Sequence, residues 1–123
     1  MPYQITIAEP FVAQHYLTVP DAGSEGDIHS HSFIAEVTFE GTTLNEYGYL
    51  LDIDIVKDSL SCIIQEYRDT TLNERLDGNP SCERLAKSIH DNIRSDLELS
   101  GVDTLTVRVH EDETAIVSYS SPI

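Results

Sequence analysis

A histidine pair and a third histidine upstream are the side chains of this sequence best suited to chemistry. His29 and His31 are separated by one residue, and residues at i and i+2 of a strand project to the same face. His15 has the same parity in the preceding strand-like segment. If the two strands pair antiparallel, three neutral imidazoles meet and leave the fourth position of a tetrahedral zinc ion open, as in catalytic zinc sites. The alternative is that these are ordinary strand or loop histidines.

Glu111 is a carboxylate where its strand predicts an apolar side chain. It continues the parity of Leu105, Val107 and Val109, which directs it toward the interior. A buried carboxylate needs hydrogen-bond partners, and a ligand with adjacent N–H donors would supply them in bidentate fashion. The alternative is a strand-end carboxylate that turns to solvent.

The strands that would position these residues are visible as alternating apolar and polar side chains. This alternation predicts strand segments at residues 3–8, 11–17, 33–40, 105–110 and 114–120. Residues 18–28 contain proline, glycine and aspartate, which marks a loop before the histidine pair.

Two helices are predicted between the second and third strands. The first covers residues 54–67, with Val56, Leu60, Ile63 and Tyr67 on one face. The second begins near Asn79 as N-cap and Pro80 as first helical residue. Its apolar face is Leu85, Ala86, Ile89, Ile93 and Leu97. The order β-β-α-α-β-β predicts an α+β fold, a four-stranded antiparallel sheet with two helices on one face.

Composition restricts the partners of this chain. It has 123 residues, with 7 Lys+Arg against 22 Asp+Glu and a net charge of −15 with histidine neutral. The length suits one domain over residues 1–123. Such acidity argues against nucleic acid and anionic membranes as partners, and no apolar run approaches the ~20 residues of a membrane span. Two cysteines are too few for a disulfide framework, so we expect a cytoplasmic protein.

The acidity and the expected sheet have two further consequences. Abundant salt would relieve the self-repulsion, because the Debye length falls to ~3 Å at 1 M. A salt-rich cytoplasm therefore suits the chain, and a merely acidic surface is the alternative.

A four-stranded sheet covered on one face leaves its other face and both edges bare. We therefore predict a homo-oligomer in which sheets join edge to edge.

Five short segments together form a family pattern. In chain order they are residues 11–15 (FVAQH), 29–33 (HSHSF), 48–53 (GYLLDI), 79–83 (NPSCE) and 107–111 (VRVHE). The chain resembles the 6-pyruvoyl-tetrahydropterin synthase and 6-carboxy-tetrahydropterin synthase family over nearly its whole length, although the family's H-G-H reads H-S-H here. The resemblance implies a tunnelling fold, in which trimers close their sheets into a barrel, two trimers stack into a hexamer, and active sites lie between subunits.

The resemblance also implies roles for particular residues. The family's zinc ligands map onto His15, His29 and His31. Its pterin-anchoring glutamate maps onto Glu111, which would accept hydrogen bonds from the 2-amino group and ring N–H of a pterin. The family's helix-start hydroxyls map onto Ser81 and, less well, onto Cys82.

The family's proton-abstracting base is replaced in this chain. In the family, zinc binds the side-chain oxygens of a dihydropterin bearing a trihydroxypropyl triphosphate and acidifies the adjacent C–H. A cysteine thiolate four residues before H-x-H removes the proton, and that position is Glu25 here. A buried glutamate can act as a general base, and glutamate-bearing members of the superfamily release the side chain in an aldolase-like way. The alternative is that Glu25 is one more acid of an acidic loop.

The family's second catalytic element, an aspartate and a histidine before Leu-Asn, falls on residues 67–73. One alignment puts Arg68 at the aspartate and Asp69 at the histidine, and a shift by one puts Asp69 at the aspartate and Thr70 at the histidine. Both alignments lack the histidine. Asp69 is therefore the remaining catalytic candidate of this element.

These residues together predict a zinc-dependent lyase of tetrahydropterin biosynthesis. Its substrate would be a 7,8-dihydropterin with a polyhydroxypropyl (triphosphate) side chain, with Zn²⁺ as cofactor and Glu25 in place of the usual cysteine. The alternatives are a 6-carboxy-tetrahydropterin synthase, a non-catalytic pterin-binding paralogue, and an acidic oligomer with a vestigial zinc site. A triphosphate needs cations, which Lys57, Arg68 and Lys87 would have to supply beside the zinc. The acidity therefore favours an unphosphorylated pterin, or a salt-screened cytoplasm that tolerates a triphosphate.

Overall fold

The computed structural model describes residues 2–123 as an antiparallel four-stranded sheet with two helices packed on one of its faces. The strands are β1 (Tyr3–His15), β2 (His29–Gly41), β3 (Thr104–Glu111) and β4 (Ala115–Pro122), and they lie side by side in that order. Helices α1 (Ile53–Gln65) and α2 (Cys82–Asp96) connect β2 to β3. Short 3₁₀ turns occupy Gly23–Gly26 and Leu72–Glu74. The predicted α+β fold and its β-β-α-α-β-β order are confirmed.

The core forms where the alternating strands meet the helices. Odd-numbered residues of β2 such as Phe33 and Phe39 are fully buried under the helices, whereas their even-numbered neighbours face away. The helices contribute buried Leu60 and Ile64 from α1 and Ile89 from α2 to the same core. Because a strand alternates its side chains between two faces, every odd position at the ends of these strands points toward the helix side. The odd-numbered candidate residues His15, His29, His31 and Glu111, at the ends of their strands, therefore lie on the helix side of the sheet.

The first strand and the end of the first helix differ from the sequence prediction. β1 is one continuous strand rather than two segments, and it runs through Pro10. Proline removes a backbone donor, but β1 is an edge strand, and among residues 2–123 no strand lies on its outer side at Pro10 to accept from that donor. α1 ends at Gln65, and Tyr67 stays buried in the turn that follows, where its hydroxyl lies 2.6 Å from the Ser88 hydroxyl.

The predicted start of α2 is wrong by two residues. The N-cap is Ser81, not Asn79, and the helix begins at Cys82. The Asn79 side chain instead accepts a hydrogen bond from the backbone N–H of Thr18 at 2.8 Å. Because Asn79 Oδ1 is engaged with the loop after β1, the Ser81 hydroxyl supplies the cap and accepts from the Arg84 N–H at 3.2 Å.

The face of the sheet away from the helices carries many polar side chains together with exposed Val12, Ile34 and Ile116, and its two edges differ. Thr6 and Thr38 share a 2.9 Å hydrogen bond across this face. The outer edge of β1 is partly covered, because the Asp69 N–H donates to the Val12 carbonyl at 2.7 Å. Within residues 2–123, the outer edge of β4 pairs with no strand. The edge-to-edge homo-oligomer stays a prediction. In the same part of the chain, no helix is long and apolar enough to cross a membrane.

Candidate metal and ligand site

Strand register brings the three histidines together. His15 pairs directly with His29 across β1 and β2, and His31 follows two residues further on the same face of β2. The ring centroids are 4.6 Å apart for His15 and His29, 5.1 Å for His15 and His31, and 4.8 Å for His29 and His31. One potential ligand atom from each ring lies within 4.8 Å of the others. The antiparallel pairing on which the sequence argument depended is therefore present.

Hydrogen bonds orient all three imidazoles in the same sense. Each Nδ1 lies against an oxygen: His15 against the Pro80 carbonyl at 2.9 Å, His29 against the Asp27 carbonyl at 2.8 Å, and His31 against an Asp112 carboxylate oxygen at 2.8 Å. Carbonyls and ionised carboxylates only accept hydrogen bonds, so each Nδ1 donates, and in the neutral form of each ring Nε2 keeps a lone pair. An oxygen behind the ring is how metal-binding histidines are usually held.

One nitrogen of this cluster lacks a protein partner. His29 Nε2 is buried, and it is the one buried side-chain nitrogen or oxygen of residues 2–123 without a hydrogen bond. A buried polar atom without a partner costs free energy, and a metal ion would remove that cost. Burial, together with the neighbouring imidazoles, lowers the pKa of His15, and the neutral form so favoured is the one that binds a metal. The donor set fits Zn²⁺.

The carboxylate of Glu111 points inward, as the parity of its strand indicates, and meets the thiol of Cys82. Cys82 Sγ donates to Glu111 Oε2 at 2.6 Å. Burial, and then this bond to a carboxylate, raises the pKa of Cys82. Cys82 is therefore held as a thiol, and it is not equivalent to the thiolate base that the family uses.

A single cavity of about 280 Å³ contains most of the predicted site residues. It is lined by His15, His31, Glu25, Ser81, Cys82 and Glu111, among others. Glu25 reaches it because the Leu17 N–H donates to the Glu25 carbonyl at 2.8 Å, which folds the loop back over the end of β1. The Glu25 side chain is exposed, so any burial of this carboxylate requires a bound ligand or a second copy of the chain. The Ser81 hydroxyl is engaged in capping α2.

Asp69 is not brought to this cavity within one chain. It lies at the outer edge of β1 with a positive φ of 58°. It lines a separate cavity of about 850 Å³, together with Arg68, Asp112 and apolar residues of β1 and β2 such as Phe11 and Ile34. Asp112 also binds His31, so the two cavities lie on either side of that aspartate.

Asp112 is a site residue that the sequence argument missed. Its Oδ2 holds His31, while its Oδ1 accepts from the Ser32 N–H at 3.0 Å. Its φ of 53° places it in the left-handed region at the end of β3, a conformation that aspartate tolerates better than most residues. The available signal was an acid next to Glu111 in a tight turn, but only the β2–β3 register places it beside His31.

Comparisons with known proteins agree with this geometry. A family model described as 6-pyruvoyl tetrahydropterin synthase matches residues 4–122. The 6-carboxy-5,6,7,8-tetrahydropterin synthase of Bacillus subtilis (strain 168) is 27% identical over 109 residues, which cover 83% of this chain and 73% of that protein.

Solved structures show the same fold. The Caenorhabditis elegans 6-pyruvoyl tetrahydropterin synthase superimposes with a TM-score of 0.82 at 18% identity and covers 98% of this chain and 96% of its own. A catalytic-residue mutant of the Plasmodium vivax 6-pyruvoyltetrahydropterin synthase gives 0.86 at 13% identity, covering 100% and 99%. At these identities the likeness establishes the fold alone.

Proposed function

The chain belongs to the 6-pyruvoyl tetrahydropterin synthase family, and from that premise we propose that it is a zinc-dependent lyase acting on the side chain of a 7,8-dihydropterin. The observation that carries this proposal is the histidine cluster, with Nδ1 of each ring held by an oxygen and Nε2 left free. Two members of the cluster, His15 and His31, line the same cavity as the inward carboxylate of Glu111. A metal site beside an acceptor for adjacent N–H groups suits a pterin whose side chain reaches the metal.

Glu111 would hold the pterin ring. One of its oxygens accepts from the Cys82 thiol, but an ionised carboxylate offers about four acceptor positions. It can therefore still accept two parallel bonds from the 2-amino group and the adjacent ring N–H. Such bidentate, charge-assisted bonds fix both the position and the orientation of a planar ligand. Ring recognition would thus depend mainly on this residue.

The chemistry requires a base near the substrate side chain. A Zn²⁺ ion held by His15, His29 and His31 would supply Lewis-acid polarisation of the side-chain oxygens. The Glu25 carboxylate lines the same cavity and would take the proton that the family's cysteine takes. The Plasmodium vivax 6-pyruvoyltetrahydropterin synthase has a glutamate described as a catalytic residue. Asp69 would reach a site only from a neighbouring copy, which requires the predicted trimer or hexamer.

Substrate turnover tests the proposal directly. Purified protein is incubated with dihydroneopterin and with its triphosphate, with and without Zn²⁺, and the products are identified by mass spectrometry. We expect zinc-dependent product, lost by ~10²–10⁴-fold in Glu25→Gln with zinc content unchanged. Glu46→Gln, at an exposed turn outside the cavity, is the matched control. Product from neither compound while zinc is bound would reject the lyase.

The 6-carboxy product is a second candidate because the Bacillus subtilis relative is a 6-carboxy-tetrahydropterin synthase. Product identity alone separates the two enzymes.

A third candidate is a paralogue that binds a pterin without turning it over. It is favoured by the missing family histidine and by the raised pKa of Cys82, which removes a substitute thiolate. Pterin affinity that falls sharply in Glu111→Ala, with no turnover in the parent, would identify this case.

A further inference from the structure

The charges that line the histidine cavity are all of one sign. Three carboxylates, Glu25, Glu83 and Glu111, line it, and neither lysine nor arginine does so within residues 2–123. A fourth acid, Asp112, holds His31 from the side. A divalent cation on the histidines would bring two positive charges against these carboxylates. The cavity therefore stays formally negative even with its metal, and a cleft lined by one sign of charge focuses that potential on its ligand.

Four of the seven cationic side chains contact groups outside this cavity, and the other three, Lys57, Arg75 and Arg94, do not line it. Arg68 donates to Glu9 at 2.9 Å, and Lys87 donates to Asp91 at 2.8 Å. Arg84 donates to two backbone carbonyls before α2, and Arg108 lies 3.8 Å from Glu36 on the face of the sheet away from the helices. The expectation that Lys57, Arg68 and Lys87 would hold a triphosphate is therefore not supported in one chain, since none of the three lines the cavity. A second copy would bring the same seven cations together with another net charge of −15.

We propose that the substrate of this site is a dihydropterin whose polyhydroxyalkyl side chain carries no phosphate. This inference rests on the proposed function and specifies its substrate class. A neutral polyol places only hydroxyl groups among the carboxylates, and hydroxyls can donate to them. A triphosphate would place several negative charges in a cavity that has no cationic side chain to meet them. Discrimination would therefore come from repulsion of the phosphorylated analogue.

Salt dependence separates this explanation from a purely steric one. The Debye length is ~10 Å at 0.1 M salt and ~3 Å at 1 M. Repulsion of a flexible phosphate tail weakens over this range, whereas a steric clash does not. Zinc-loaded protein is assayed with dihydroneopterin, its monophosphate and its triphosphate at 0.1 M and 1 M KCl. At 0.1 M KCl, we expect kcat/KM for dihydroneopterin to be at least tenfold higher than kcat/KM for the triphosphate. At 1 M KCl, the ratio of these two kcat/KM values should be at least threefold smaller.

A charge reversal at the cavity gives a matched test. Glu83→Lys should raise kcat/KM for the triphosphate relative to the neutral compound, and Glu83→Gln should do so to a smaller extent. Asp58→Lys makes the same charge change on an exposed position of α1 and should leave the ratio unchanged. A triphosphate that is used as well as dihydroneopterin at 0.1 M, or a ratio insensitive to salt, would overturn the inference.

Absence of turnover with all three compounds would reject the proposed lyase but would still decide the charge inference. In that case dissociation constants of the same compounds, measured by pterin fluorescence, are judged by the same ratios. Tighter binding of the neutral compound with a salt-sensitive ratio supports the inference. Equal or tighter binding of the triphosphate at 0.1 M overturns it.

Discussion

Replacing Asp112 by asparagine should weaken metal binding while leaving the fold intact. The carboxylate accepts two hydrogen bonds at once, from His31 Nδ1 and from the Ser32 N–H. Asparagine has one acceptor oxygen and one donor group. If its oxygen keeps the backbone bond, its NH₂ faces His31 Nδ1, which must then accept. The ring proton moves to Nε2, the atom that would bind the metal in the proposed site.

The size of the effect follows from these contacts. Loss of a residue that orients a metal ligand typically lowers metal affinity 10- to 100-fold, which is about 1.4 to 2.7 kcal/mol. The effect on folding should be small, because the Asp112 side chain is 46% exposed and exposed ion pairs add little to stability. Asparagine also tolerates the positive φ at this position. Asp112→Asn should therefore lower the metal affinity and leave the stability of the metal-free protein nearly unchanged.

Competition with a chromophoric chelator measures the Zn²⁺ dissociation constant, and thermal unfolding of the metal-free protein measures stability. Asp58→Asn removes the same charge from an exposed position of α1 and should change neither. An Asp112→Asn protein that folds normally and binds Zn²⁺ within twofold of the parent would refute the tautomer argument. An equal loss in Asp58→Asn would show that net charge, rather than the His31 contact, is responsible.

Three further predictions concern the metal, the thiol and the helix cap. Zn²⁺ at 100 times its dissociation constant should raise the free energy of unfolding by ~2.7 kcal/mol, an increase lost in His29→Ala and measured by urea unfolding with and without chelator. Because the pKa of Cys82 is raised, its thiolate fraction at pH 8 is depleted. Iodoacetamide should therefore modify exposed Cys62 faster than Cys82. Glu111→Gln should speed the modification of Cys82 and leave that of Cys62 unchanged. Equal modification rates of the two cysteines in the parent protein would contradict this prediction. Ser81→Ala should cost ~1 kcal/mol at an unchanged urea m-value, and a loss below ~0.3 kcal/mol would mean that Ser81 is not the effective cap.

Local patterns were sufficient for the fold and for part of the site. Alternation in residues 33–40 gave both the strand β2 and its buried face, and the same parity rule directed Glu111 inward. These two predictions, the buried face of β2 and the inward Glu111, succeed because a strand projects alternate side chains to opposite faces whatever surrounds it. Boundaries were less accurate. Ser81, rather than Asn79, caps α2, because Asn79 is bound to the distant Thr18, and such a partner is invisible to helix-start rules.

The amino-acid sequence by itself determined the element order, the buried faces, the acidity and the three histidines of matching parity. Only the tertiary structure decided which groups meet. The β1–β2 register puts His15 beside His29, the start of α2 presents the Pro80 carbonyl to His15, and the turn after β3 presents Asp112 to His31. The same packing separates Asp69 from the cavity and leaves that cavity without a cation. The last two contacts join residues 65 and 81 positions apart. They depend on strand register and on how the chain folds back, which local periodicity does not specify.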